Sequence, residues 1–188
     1  MKRTALLGAA LAALVPNVLL ADMNYTNLEV SLLDVEQDAG FNVDGDGFEL
    51  AGSYELSDRI FLFGEWQDHS LDQGVDGRSI ELGAGLTHGF SDRLDFVASL
   101  SYVDAEVKVG NFTADDDGLA LGGGIRSRVA DAVELDAGLK YVDFDNGGGD
   151  TGVSIGGRYY FNNSMALGAS ADFNDNVDAI RIGFRWEF

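Results

Sequence analysis

The sequence predicts an all-β chain: a closed, antiparallel, up-and-down transmembrane β-barrel of about ten strands, preceded by an N-terminal signal peptide. Three observations predict it. Apolar residues alternate with small or charged ones in stretches of about ten residues, the period of a strand with two different faces. The stretches are joined by alternately short and long polar connections. Only one proline, Pro16, occurs in 188 residues, so nothing after it removes a donor from a hydrogen-bonded ladder.

The chain opens with Lys2 and Arg3, followed by the apolar run 5–13, Val15 and the run 18–20, the layout of a secretory signal peptide. Cleavage is expected after Ala21, leaving a barrel over 22–188. A membrane anchor is the alternative reading, disfavoured by the shortness of the run, by Pro16 and by the lack of a basic stop-transfer flank. No later apolar run is long enough for a transmembrane helix, so any membrane-embedded state must be built from strands. The formal net charge is -20, which speaks against nucleic acid as a partner. A hydrophobic content of 46% with 11% aromatics is too high for a disordered chain. With no cysteine there is neither a disulfide framework nor a lipid-modified thiol after the signal.

The ten predicted strands run over 25–34, 47–56, 60–69, 78–90, 94–104, 118–129, 133–143, 152–161, 165–173 and 177–188. Short connections fall at Ser57-Asp58-Arg59, Ser91-Asp92-Arg93, Ala130-Asp131-Ala132 and Asn162-Asn163-Ser164. Longer ones contain Asp44-Gly45-Asp46, Asp72-Gln73-Gly74, Asp115-Asp116-Asp117 and the glycine-rich stretch after Asn146, with the brief Asn174-Asp175-Asn176 completing that side. An even strand number with short turns at one end matches a bacterial outer-membrane barrel whose turns lie in the periplasm.

The last strand alternates most cleanly. Ile180, Ile182, Phe184, Trp186 and Phe188 share one face, and Arg181, Gly183, Arg185 and Glu187 the other. Comparable apolar faces carry Leu28, Val30 and Leu32, then Leu82 and Leu86, Phe96, Leu100 and Tyr102, Leu119, Leu121 and Ile125, and Leu135, Leu139 and Tyr141. A soluble sandwich would turn these faces into a core; here the opposite faces are rich in glycine and mixed charge, as in the polar interior of a membrane barrel. The signal peptide, the hairpin array and the closing Arg185-Trp186-Glu187-Phe188 resemble small Gram-negative outer-membrane β-barrels of the OmpA/OmpX style, although ten strands depart from the eight of that type. The resemblance implies location in the cell outer membrane, contact with its lipid and lipopolysaccharide, and assembly by the barrel-assembly machinery. The assembly signal then falls on Ile180, Ile182, Phe184, Trp186 and Phe188.

On this parity the lumen receives Glu29, Glu49, Glu55, Glu65, Glu81 and Asp95 from the first half. Arg126, Arg128, Lys140, Arg158, Arg181 and Arg185 from the second half answer them, leaving Glu134, Asp136, Asp172 and Glu187 as surplus acid. Opposed charges are tolerated in a narrow, partly dehydrated lumen where isolated ones are not, so a largely plugged barrel is expected. The third strand sits awkwardly, because Phe61 and Phe63 would point inward. The alternative is a narrow channel for ions or small solutes; wide aqueous pores come with about 16 to 18 strands.

Catalysis finds little support. His69 lies beside Asp68 and Ser70, but neighbours on a strand face opposite ways, and His88 near the other strand end reads as an interfacial side chain. An outer-membrane hydrolase is therefore the least favoured class, and no cofactor is expected. Asn42, Asp44, Asp46 and Gly47 resemble the start of a calcium loop, yet Ser53 stands where its glutamate belongs. Weak divalent-cation binding there and at Asp115, Asp116 and Asp117 is the most these acids suggest. The sequence thus points to a non-enzymatic barrel with a structural or surface-interaction role.

Overall fold

The computed structural model describes residues 23–38, 42–72, 74–175 and 177–188; the predicted signal peptide, 1–21, lies outside the described residues. Ten strands follow one another: β1 (Asn27–Asp38), β2 (Asn42–Ser57), β3 (Ile60–Leu71), β4 (Val75–Ser91), β5 (Leu94–Val109), β6 (Phe112–Ala130), β7 (Val133–Phe144), β8 (Gly148–Asn162), β9 (Met165–Asn174) and β10 (Val177–Glu187). Each pairs antiparallel with its sequence neighbours, and β1 pairs with β10 from Asn27↔Glu187 to Gln37↔Val177, closing the sheet. Closure leaves no free ladder edge around the wall, the condition for a sheet in hydrocarbon, where no water can satisfy backbone groups.

All ten predicted strands are present, and several continue beyond their expected ends. Asp44-Gly45-Asp46 lies within β2 and Asp115-Asp116-Asp117 within β6, not in loops as the sequence suggested. Above the bilayer both faces of a strand become polar, so the alternation that marks a strand fades while its pairing persists. Three of the loop-end hairpins turn at Gly74 (φ 76°), Gly110 (φ 61°) and Gly148 (φ 81°), left-handed positions that glycine adopts without steric cost.

At the opposite end, the four hairpins from β2 to β9 turn through two residues, and each carries a one-residue register shift just before the turn, at Leu56, Phe90, Val129 and Phe161. A bulge bends the strand and increases its local twist. Here it recurs once per hairpin at the barrel rim, and every extra residue is a large apolar side chain exposed on the outside.

The outer wall is continuous apolar surface; Leu32 is 71% and Leu121 63% exposed. Aromatic girdles flank it. Phe48, Trp66, Tyr102, Tyr141 and Phe173 occupy the loop side, with Phe48 and Trp66 edge-to-face at 5.0 Å. Tyr54, Phe90, Phe96, Tyr159, Phe161, Trp186 and Phe188 occupy the turn side, with Trp186 and Phe188 at 5.3 Å. Such belts sit at the two membrane–water interfaces. His88 is exposed and edge-on to Phe90 at 5.3 Å, the interfacial position expected for it.

An arginine at Ile182, midway along β10 on the lipid face, is expected to lower barrel stability by about 2–4 kcal/mol, whereas Thr113→Lys at the loop end should change it by less than about 1 kcal/mol. Urea titration of the protein folded in lipid vesicles, read by heat-modifiable gel migration, compares the two. Equal unfolding midpoints would contradict the assigned outer face.

Candidate functional site in the lumen

The inward faces carry the charged residues assigned from the sequence: Glu29, Glu49, Glu65, Glu81, Asp95, Arg126, Arg128, Glu134, Asp136, Lys140, Arg158, Arg181, Arg185 and Glu187 are all buried or half-buried. Glu55 and Asp172 share that parity. The network is layered along the barrel axis.

At the turn end, Glu134 on β7 is 0% exposed and forms the hub. Arg126 Nε donates to it at 2.7 Å, Arg158 Nη1 at 3.4 Å, and Arg128 Nη2 lies 3.6 Å away. The Tyr160 hydroxyl stands 2.6 Å from Glu187 Oε1 and 3.3 Å from Glu134 Oε2. Arg126 also reaches Glu187 at 3.4 Å, and the Arg128 guanidinium covers the Tyr160 ring at 4.7 Å. One carboxylate surrounded by three guanidiniums, with a second carboxylate and a phenol beside it, is a buried ionic knot in which opposite charges face one another.

In the middle layer Arg158 pairs with Asp136 and lies 3.7 Å from Glu29, to which Arg185 Nε donates at 2.7 Å. Glycines make room: a Cβ at Gly156 would strike the Asp136 carboxylate, and one at Gly168 would press on the Arg158 stem. Higher up, Arg181 bonds Glu49 at 2.6 Å and pairs with Asp172. Gln67 donates to both Glu49 and Glu65, and Lys140 crosses to Glu81, which also accepts from Ser101 at 2.6 Å.

The structure brings these charges together differently from the sequence expectation. Arg181–Glu49, Lys140–Glu81 and Arg185–Glu29 are the anticipated pairs of late base with early acid. Arg126, Arg128 and Arg158, however, chiefly serve Glu134, Asp136 and Glu187, the acids expected to be left over. The reason is register: Arg128 lies directly opposite Glu134, Arg126 opposite Asp136, and Glu134 opposite Arg158 on adjacent strands. Cross-strand neighbours stand about 5 Å apart, far closer than groups on facing walls.

Two lumen features, an apolar cluster and Tyr25, were not legible in the sequence, and the inward Phe61 and Phe63 only sat awkwardly in it. Leu33, Val35, Val43 and Leu71 form an apolar cluster inside the loop end, backed by Val75, Val177 and Ala179. Phe61 and Phe63 do point inward, and β4 accommodates them, because a Cβ at Gly85 or Gly83 would collide with their rings. Tyr25, preceding β1, stacks on Phe61 with centroids 5.0 Å apart. Between these groups remains a cavity of about 360 Å³, whose wall includes Ser99, Gly122, Gly124, Gly138 and Ser154.

The hydrolytic grouping around His69 does not form. Ser70 Oγ donates to Asp76 at 2.9 Å, while His69 turns inward between Gly47 and Gly77. Nor do the acidic stretches converge: strand alternation places Asp115 and Asp117 on one face and Asp116 on the other, where Asn146 bonds it at 3.1 Å. Among the described residues no group of three or more histidines and carboxylates is arranged to hold a metal ion.

No protein-family model and no curated protein matches the chain. Among solved structures, the translocator domain of the autotransporter NalP from Neisseria meningitidis is similar over 89% of this chain and 90% of that one, at 10% identity and a TM-score of 0.52. The KdgM porin aligns over 85% of this chain and 99% of its own, at 14% identity and a TM-score of 0.47. For Ail, the attachment invasion locus protein of Yersinia pestis, the figures are 88%, 100%, 14% and 0.45. At 10% identity the likeness to the translocator domain concerns the fold and does not single out the OmpA/OmpX style. The closed wall, the apolar belt and the short-turned end are those of outer-membrane proteins; the chain is an outer-membrane β-barrel with an internally salt-bridged lumen.

Glu134→Ala strands three guanidiniums around a buried gap, and breaking a buried ionic cluster in this way typically costs about 3–5 kcal/mol. Urea unfolding in lipid vesicles is expected to show a loss of that size. A change below about 1 kcal/mol would mean the knot contributes little to stability.

Proposed function

We propose that the protein is a non-enzymatic envelope barrel, closed to solute flow, with a structural or surface-interaction role. The observation that carries this reading is the knot at the turn end, where side chains from β6, β7, β8 and β10 meet at a fully buried glutamate. The apolar cluster over Leu33, Val35, Val43 and Leu71 supports it from the loop end. Short turns face the periplasm in such barrels, so the knot closes the periplasmic side and the acidic strand extensions stand outside the cell. Export by the segment 1–21, recognition by the assembly machinery through Ile180, Ile182, Phe184, Trp186 and Phe188, and weak divalent-cation contacts between the outer acids and lipopolysaccharide complete this reading.

A narrow channel is the second reading, and one observation favours it. The cavity of about 360 Å³ has the volume of roughly a dozen liquid waters, and Lys140 on its wall keeps 43% of its side chain exposed. The lumen is wet in its middle and occluded toward its ends.

In planar bilayers at neutral pH the parent protein is expected to show no large, steady conductance. The double variant Arg126→Ala/Arg158→Ala removes two guanidiniums from around Glu134, Asp136, Glu29 and Glu187, so it should leak, and leak cations in preference to anions. Steady, solute-permeable openings in the parent would favour the channel reading. Closure unchanged in the double variant would show that other groups occlude the lumen.

Phe188→Ala is expected to lower the yield of folded outer-membrane protein without producing a soluble native domain, as fractionation and heat-modifiable migration would show. An undiminished folded yield would remove Phe188 from the assembly signal.

A further inference from the structure

The floor of the lumen cavity is not built from strands alone. On the side of β6, β7, β8 and β10 it is the ionic knot. On the side of β5, where Val97 and Ser99 line the cavity, it is the ring of Tyr25, lying on Phe61. Tyr25 precedes β1 and belongs to no strand, yet it is only 8% exposed and lines the cavity directly.

The fastenings of its segment are single contacts rather than a ladder, among them Glu55 N donating to Thr26 Oγ1 at 3.1 Å and Asn24 Nδ2 donating to the Phe188 carbonyl at 3.5 Å. The ring stacks on Phe61 at 5.0 Å with 24° between the planes. The hydroxyl donates to Asp95 on β5 at 2.8 Å. The Arg126 guanidinium lies 4.9 Å from the ring centroid, and its Nη1 donates to the Asn24 carbonyl at 2.8 Å. The backbone of the segment is held by Ser53 Oγ donating to the Tyr25 carbonyl at 2.7 Å and by Phe188 N donating to the Thr26 carbonyl at 3.2 Å. No ladder runs along 23–26, so withdrawing the ring breaks a stack and a handful of hydrogen bonds while leaving every strand pairing intact. Removing a residue of the knot, by contrast, leaves buried charge uncompensated on the wall itself.

We propose that Tyr25 is a removable stopper: the segment 23–26 closes the periplasmic floor of the lumen cavity, and displacement of the Tyr25 ring opens that cavity to the periplasm. The stopper rests on the closed-lumen reading above. It places control of access on a segment at the periplasmic face, where a tether or contact on the chain before β1 would act on it.

Because the chain contains no cysteine, a single Ser99→Cys substitution on the cavity wall gives a probe without background. The protein is reconstituted in planar bilayers, and a cationic, water-soluble methanethiosulfonate is added only to the compartment facing the turn end. If the ring is displaced a tenth of the time or less, Tyr25→Ala should raise the labelling rate of the introduced thiol at least about tenfold over the parent barrel carrying the same probe. Tyr25→Phe keeps the ring and loses only the Asp95 bond, so it should label within about twofold of the parent. Tyr25→Val retains an apolar contact with Phe61 and carries the same expectation as alanine should the alanine variant fold poorly; heat-modifiable migration reports folding in each case. Slow labelling in all folded variants would overturn the stopper and leave the closed lumen standing. Fast labelling in the parent would overturn the closed lumen and the stopper with it.

Discussion

Everything in this barrel follows from the pairing of β1 with β10. A sheet in hydrocarbon cannot leave a row of backbone donors and acceptors unmet, and the ladder from Asn27↔Glu187 to Gln37↔Val177 removes the last such row. Once the sheet is closed, strand alternation sends every second side chain into a narrow interior and every other one into lipid. The outside can then be apolar throughout, with aromatic residues at the two interfaces. The inside cannot be a large interlocking apolar core, because it must also admit the water and charge that the ends of the barrel meet.

The interior resolves that conflict by layers. Where the lumen is deepest and driest, at the turn end, the charges are the most completely compensated: Glu134 is surrounded by Arg126, Arg128 and Arg158. Higher up, pairing is looser, as at Glu65, whose amide partner Gln67 it shares with Glu49. Glu65 also stands directly opposite Glu81 across the ladder, a like-charge arrangement that is unfavourable between neighbouring strands. Lys140, reaching from β7 to Glu81, partly offsets it. Above these groups the lumen turns apolar, so closure does not depend on ion pairs alone.

The fold was legible in the sequence because a membrane barrel writes its two faces directly into the chain. The strand number, the short turns, the outer faces and the inward parity of the charges assigned to the lumen follow from period-two alternation, and even the awkward Phe61 and Phe63 have their explanation in Gly85 and Gly83 one strand away. What alternation cannot supply is height. A residue's face is set by its own parity, but its partners are set by register, and register depends on bulges such as those at Val129 and Phe161 that shift the pairing by one residue. Hence the sequence placed Arg126 and Glu134 in the lumen yet not against each other. The strand extensions at Asp44 and Asp115 were hidden for a related reason, since outside the bilayer a paired strand no longer needs an apolar face. Tyr25 escaped notice as a lumen element because the sequence assigns it to the first strand, as an ordinary strand-end aromatic.

The distribution of bulk around the wall explains why closure is uneven in kind. Long arginines rise from β6, β8 and β10, and glycines leave space for them and their carboxylate partners, Gly168 beside Arg158, Gly156 beside Asp136 and Gly183 beside Glu29. Midway along β4, β5 and β6 the inward residues are instead Gly83, Gly85, Ser99, Ser101, Gly122 and Gly124, too small to span a ten-stranded lumen. Phe61 and Phe63 fill part of that side from β3, and above them the cavity remains. A wall of small residues therefore transfers the task of closing one side of the floor to whatever can reach in from outside the ladder. In this chain that is the segment before β1, whose tyrosine meets an aromatic face, a carboxylate and a guanidinium where the strands leave a gap.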